Sequence, residues 1–351
     1  MTAREPDRTI GLVGALLLIA TTGPAAAEQF LYVHNTNSGE LSKISIPEHE
    51  VVAEIEVGLF MDFVTASPDE KTLYVSLIEP MEVPGMPPRN IGTSGHLVAI
   101  DAATDTVSWK VPIDGMTHHP AVSKDGRLVF VPLYDTWWVA VVDVEQRAVV
   151  DKIFVGHGTH GTKMSADGER LYVGSMMNDV LAIIDVESRR MVDRIGFRDG
   201  VRPFALTRDE RRVYVQLSRF HGFEVVDPRT KERIRSVELP DLGRDVSGQQ
   251  LYPHNVNHGI ALTPDEGLLL VNGSVIDTVF VYSHPELELV AQIPVGRDPN
   301  SITFSKDGRF AYVSNRGSDD LSILDLEARR EVKRLELGSY PQRMVVIGTV
   351  E

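Results

Sequence analysis

The sequence predicts an all-β fold, a seven-bladed β-propeller of four-stranded blades, and three observations carry that prediction. The first is a Ser/Thr-x-Asp turn that recurs at Ser67-Pro68-Asp69, Ser123-Lys124-Asp125, Ser165-Ala166-Asp167, Thr207-Arg208-Asp209, Thr263-Pro264-Asp265 and Ser305-Lys306-Asp307. Successive aspartates stand 56, 42, 42, 56 and 42 residues apart, so one unit is repeated along the chain. The second is the strand pattern downstream of most of these turns. An apolar strand comes first, as in Leu73-Tyr74-Val75, Leu171-Tyr172-Val173, Val213-Tyr214-Val215 and Ala311-Tyr312-Val313. Next is a strand ending near Asp (Ile184-Asp185, Leu324-Asp325), then a polar turn and a last alternating strand such as 332–337. Four short strands per 42 residues, divided by Gly and Asp turns, are the sequence form of a propeller blade. The third is length: seven repeats of 42 with two insertions of 14 account for all but 2 of the 324 residues from 28 to 351.

Each segment then finds its place. Arg4 and Arg8 precede an apolar run at 10–20, and Ala25-Ala26-Ala27 comes after it as a small-residue cleavage site. That order is a secretory signal, expected to be cleaved near Ala27, with export to a bacterial periplasm. Residues 28–351 form one propeller domain. Phe30-Leu31-Tyr32-Val33 lacks a preceding turn and Met344-Val345-Val346 lacks succeeding strands. The C-terminal strand is therefore expected to complete the N-terminal blade, closing the ring and removing its open edges. The insertions fall near 78–96, with Pro80, Pro84, Pro87 and Pro88, and near 240–257. Both map to the face opposite the Ser/Thr-x-Asp turns, as loops expected to act as lids or walls.

Composition narrows the chemistry. The 35 Lys and Arg against 50 Asp and Glu give a net charge of −15, which disfavours nucleic acid and anionic membranes as partners. A hydrophobic content of 42% excludes wholesale disorder, and no stretch after the leader is long enough to span a membrane. The chain has no cysteine, which excludes disulfides, thiolate zinc and blue-copper sites, Cys-ligated iron–sulfur clusters, covalent c-type haem and a Cys nucleophile. Any metal must be held by His, carboxylate, Met or backbone.

The chain resembles the YVTN-repeat seven-bladed propellers, the mostly periplasmic, lactonase-like superfamily. Leu31-Tyr32-Val33-His34-Asn35, Leu73-Tyr74-Val75-Ser76 and Ala311-Tyr312-Val313-Ser314-Asn315 carry the resemblance, with Val57-Gly58, Val155-Gly156 and Val295-Gly296 ahead of their blades. Leu270-Val271-Asn272 and Phe130 depart from it without threatening the fold. The resemblance implies the fold and leaves function open, because propellers host many activities.

The innermost strand of each repeat begins seven residues before the turn Asp, at Asp62, His118, His160, Arg202, His258, Asn300 and, by extrapolation, Gln342. All are polar, and all fall at the mouth of the central channel. Nine of the eleven histidines map to this face: His34, His96, His118, His119, His157, His160, His221, His254 and His258. Neutral imidazoles converging without thiolates suit copper, zinc, iron or another divalent ion. The expected ligands are His118, His160 and His258, with His119, His157, His254 and His34 as further candidates. Met61, Met116, Met176 and Met177 fall on the same face and tilt the choice toward copper. Asp62 is expected as a ligand or general base, and Arg202 as an anchor for an anionic small-molecule substrate or as an ion-pair partner of Asp62. Tyr134, Trp137 and Trp138 are candidates to wall a pocket, although strand alternation would bury one of the tryptophans.

The leading expectation is a periplasmic metal-dependent oxidoreductase, similar in outline to multi-histidine copper propellers such as nitrous oxide reductase and thiocyanate dehydrogenase. It leaves room for a periplasmic redox or protein partner. The alternatives are a non-redox metal-dependent hydrolase or lyase, which the lactonase-like resemblance implies, and a binding propeller without turnover.

Overall fold

A computed structural model describes residues 29–80, 92–246 and 256–348. The leader and residues 81–91 and 247–255 of the two insertions lie outside the described residues. The strands form seven four-stranded antiparallel sheets. Blade 1 joins Gln29–Asn35, Glu40–Ile46 and Val51–Glu56 to the innermost strand Pro341–Ile347. Blades 2 to 7 begin, innermost strand first, at Met61–Ala66, Ala121–Val122, Thr159–Met164, Val201–Leu206, Ile260–Leu262 and Pro299–Phe304. Ring closure is as expected: Phe30, Leu31 and Tyr32 pair with Ile347, Val346 and Val345.

The repeated turn is held by its own side chains. Ser165 Oγ donates to Asp167 Oδ1 at 2.6 Å and accepts the Arg170 N–H at 2.9 Å, while Asp167 accepts the Glu169 N–H at 2.9 Å. The same hydroxyl-to-carboxylate bond recurs at Ser67, Ser123, Thr207, Thr263 and Ser305. It holds Asp69, Asp125, Asp167, Asp265 and Asp307 below the usual carboxylate range.

Each apolar cluster straddles two blades. Tyr172, Leu181 and Ile183 of blade 4 pack with Val201, Phe204 and Val215 of blade 5, so no blade buries its faces alone. The repeated tyrosines tie these seams. Tyr32, Tyr172 and Tyr312 are fully buried, and each hydroxyl meets the next blade, at Asp105, Glu210 and His49 respectively. Phe130 and Leu270 fill the same position without a hydroxyl. The Val-Gly pairs reflect a backbone need: Gly156 sits at φ +127, where a Cβ would come within 2.4 Å of Asn178 Nδ2. Outermost strands expose charged residues such as Arg190, Arg194, Arg330 and Arg334, which guard the rim against pairing with other chains.

Candidate metal centre

The innermost strands do not alternate cleanly at their upper ends. Register shifts lie between Met61 and Phe63, Thr159 and Thr162, Val201 and Phe204, and Pro299 and Ser301. In blade 3 the ladder is interrupted outright. Thr117 forms an isolated bridge to Leu133, and pairing resumes only at Ala121, past Pro120, which has no N–H to give. A bulge lets successive residues serve the same side of a strand. The channel mouth accordingly has two tiers. The expected upper tier contains Asp62, His118, His160, Arg202, His258, Asn300 and Gln342. One residue further on, Phe63, His119, Gly161, Pro203, Ser301 and Arg343 line the channel cavity.

This second tier changes the grouping of the histidines. His118, His119 and His160 offer ligand nitrogens that all lie within 4.8 Å of one another, and all three side chains are buried. Ring centroids are 4.9 Å apart for His118 and His160 and 4.1 Å for His119 and His160. Asp62 completes the group, with Oδ2 at 3.0 Å from His118 Nδ1 and 3.6 Å from His119 Nε2. Phe63 lies against the His119 ring at 4.5 Å and Tyr134 beside His118 at 5.2 Å, so Tyr134 does wall the site.

His258 stands at the margin of this group, its ring 6.4 Å from that of His160. Its Nδ1 meets the Asn300 carbonyl at 3.0 Å and its Nε2 faces Arg343 at 3.4 Å, so both nitrogens already have neighbours. His34 is buried behind the mouth, with Nδ1 at 3.4 Å from Thr36 Oγ1. His157 is half-buried and packs against Trp137 at 5.5 Å. His254 lies outside the described residues. Arg202 donates through Nε to Ser218 Oγ at 3.0 Å and through Nη1 to Met176 Sδ at 3.6 Å. Gln342 turns to Thr36, its Nε2 donating at 2.8 Å, and Arg343 fills the channel instead.

Two sequence expectations are corrected here. Three of the four methionines do not gather round the imidazoles: Met61 belongs to the core between blades 1 and 2, Met116 packs with Phe60 and Ile78, and Met177 is exposed, while Met176 stays beside Arg202. An apolar side chain at a blade seam gains more from dehydration than from reaching a polar mouth. Neither tryptophan is buried. Trp137 and Trp138 are 50% and 38% exposed and flank Phe154, because Val139 takes the first inward place in its strand.

The rings are held in the neutral form that can coordinate a metal. Burial, reinforced by the neighbouring histidines and Arg343, holds His119 and His160 well below the usual imidazole value, and burial with Arg343 does the same to His258. Burial pushes His34 down to about 3. These rings are neutral at physiological pH, with lone pairs available for coordination. Among the described residues, His118 Nε2 and His160 Nδ1 are buried without a hydrogen-bond partner, while His118 Nδ1 and Asp62 Oδ2 face each other at 3.0 Å. Buried polar atoms are nearly always satisfied, so such a concentration of orphans fits a bound ion. Three imidazoles beside a carboxylate are a donor set for a divalent metal and do not by themselves select copper.

His119 and Arg343 had a signal that the single offset concealed. One position after the upper tier, two long polar residues stand among Gly161, Pro203, Gly259 and Ser301, small residues that leave room for them.

No protein-family model matches the chain, and no curated protein matches it in sequence. Solved structures do match in fold. Hydrazine synthase of Kuenenia stuttgartiensis aligns with TM-score 0.67 at 18% identity, over 83% of this chain and 96% of that one. A candidate 6-phosphogluconolactonase of Bacteroides fragilis gives 0.72 at 14% identity, over 93% and 99%. Dihydro-heme d1 dehydrogenase NirN, in complex with DHE, gives 0.60 at 18% identity, over 90% and 74%. At these identities the likeness is one of fold alone.

Proposed function

We propose that this protein is a metal-dependent enzyme that hydrolyses or eliminates from a small organic substrate at the channel mouth, with a divalent ion held by His118, His119 and His160. The observation that carries this reading is the convergence of three buried imidazoles within 4.8 Å beside the Asp62 carboxylate. A divalent ion bound there supplies Lewis-acid polarisation of a carbonyl. Asp62 holds a proton-accepting oxygen next to the cluster, in reach of His118 and His119. Tyr134 and Phe63 press the rings into place and limit water. Arg202 stands on the same tier to orient an anionic group. The lactonase-like neighbour supports non-redox chemistry, and the removal of Met61 and Met116 into the core weakens the case for copper. An oxidoreductase is the second reading, favoured by the imidazole-rich donor set and by one structural neighbour named as a dehydrogenase. Either reading goes with export, argued from Arg4, Arg8, the apolar run at 10–20 and Ala25-Ala26-Ala27.

Metal analysis of protein purified from its native compartment tests the proposal. Wild type is expected to carry stoichiometric zinc or another divalent ion, and the H118A/H119A/H160A variant to lose it along with esterase or lactonase turnover. A variant that keeps its metal would overturn the site. An absorption band that bleaches on reduction would replace the first reading by the second.

A further inference from the structure

Below the histidine cluster the channel carries positive charge that a metal site does not use. Arg343 enters from the innermost strand of blade 1 and is only 7% exposed. Its Nη1 lies 3.4 Å from Ser301 Oγ and its Nη2 3.4 Å from His258 Nε2, while Nε has no hydrogen-bond partner. Among the described residues no carboxylate forms an ion pair with it, and Asp62 acts on it only from longer range. Burial pushes the guanidinium down to about 10, so it remains cationic at neutral pH. A buried cation without a counter-charge in contact is costly to keep, and is retained where something anionic completes it.

A second cation shares the space. Lys163 projects from blade 4 into the same cavity, whose wall at that level is built from Ala205, Ala261 and Thr303. Lys163 is exposed in the strand Thr159–Met164, and its open surface lies along this cavity. The cavity has a volume of about 410 Å³, within the range of small-molecule sites. It runs from His119 and Arg343 to Arg208, Pro264 and Glu266 at the turn face. In a chain of net charge −15, its walls carry Lys163, Arg208 and Arg343 against Glu266, and Glu266 is engaged by the Arg208 N–H at 2.7 Å. Phe63, Phe204 and Ile260 supply apolar surface between the charges.

We propose that this channel cavity is a subsite for a small organic oxyanion, a carboxylate or phosphate ester, whose charge is shared by Arg343 and Lys163 and whose apolar body lies along Phe63 and Phe204. A planar guanidinium edge with a free Nε–H is suited to paired oxygens, and the ammonium adds a second donor from the facing wall. Calling the ligand a substrate rests on the metal-enzyme reading above, since His119 forms the roof of the cavity. Binding itself needs only the channel residues.

Calorimetric titration of metal-stripped and metal-loaded protein with benzoate and with phenyl phosphate tests this, with benzyl alcohol as the neutral control. Both anions, or the one whose head group fits, are expected to bind in either form, more weakly as salt rises, while benzyl alcohol does not bind. Arg343→Met is expected to weaken anion binding at least about tenfold, and Lys163→Met to weaken it as well. Lys163→Met lies among small residues and keeps the test open if Arg343→Met fails to fold, as judged by circular dichroism. Unchanged affinity in the folded variants, or equal binding of benzyl alcohol, overturns the proposal. Protein that holds no metal but binds anions through Arg343 sinks the metal-enzyme reading and leaves this subsite standing. Protein that holds metal and ignores both anions does the reverse.

Discussion

At the turn face of blade 4, Ser165 and Asp167 spend their hydrogen bonds on each other and on the N–H groups of Glu169 and Arg170. A few residues earlier in the same blade, at the mouth, His160 Nδ1 and the neighbouring His118 Nε2 are buried with no hydrogen-bond partner among the described residues. The turn face closes locally within each repeat, so it can be copied round the ring. The mouth is assembled from side chains of different blades, and its polar atoms are left facing one another. Rigid seams make that arrangement tolerable, because the cost of the orphaned atoms is carried by packing elsewhere.

Breaking a seam should therefore have the largest effect. Tyr172→Ala removes a fully buried ring between blades 4 and 5 together with its bond to Glu210, and is expected to cost about 3–5 kcal/mol in urea unfolding. His160→Leu in metal-free protein removes orphaned polarity and should shift stability by less than about 1 kcal/mol. Comparable losses in the two variants would erase the contrast.

Acid sharpens it further. His34, His119, His160 and His258 are lowered in the folded state, so below the ordinary value of 6.5 the unfolded chain binds protons first. Their stability is complete above 6.5 and is lost as pH falls toward the lowered values, by about 1.4 kcal/mol per pH unit for each such ring. The turn aspartates are also lowered, from 3.8, so their contribution is complete above that value and fades only below it. Metal-free protein is expected to lose stability in two stages, the mouth first, as tracked by denaturation midpoints between pH 7 and 3. A single stage beginning near pH 4 would contradict the buried neutral histidines.

The smallest effect belongs to one turn. Ser165→Ala leaves the Arg170 N–H and Asp167 without their hydroxyl and should cost about 1 kcal/mol, with metal binding unchanged.

The fold was legible because its signals are local and repeated. Ser-x-Asp fixes a turn through its own side chains, and Leu-Tyr-Val fixes a strand with a buried ring. Ring closure is implied by the unmatched strands at Phe30 and Met344. At the mouth the same signals pointed to Asp62, His118, His160 and His258 but ranked His119 below them and missed Arg343. Strand alternation sends adjacent residues to opposite faces, and the register shifts at the top of the innermost strands suspend that rule. Met61, a soft ligand by its place in the chain, is held by apolar contacts across a seam that no single repeat reveals.

By itself, then, the sequence determined the seven-fold ring, its closure and the face on which the histidines collect, because period and turn chemistry act within one repeat. Tertiary structure alone decided which histidines meet, that Asp62 lies between two of them, and that Arg343 and Lys163 share one channel. Those relations join separate blades, and only the closed ring brings their side chains within bonding distance.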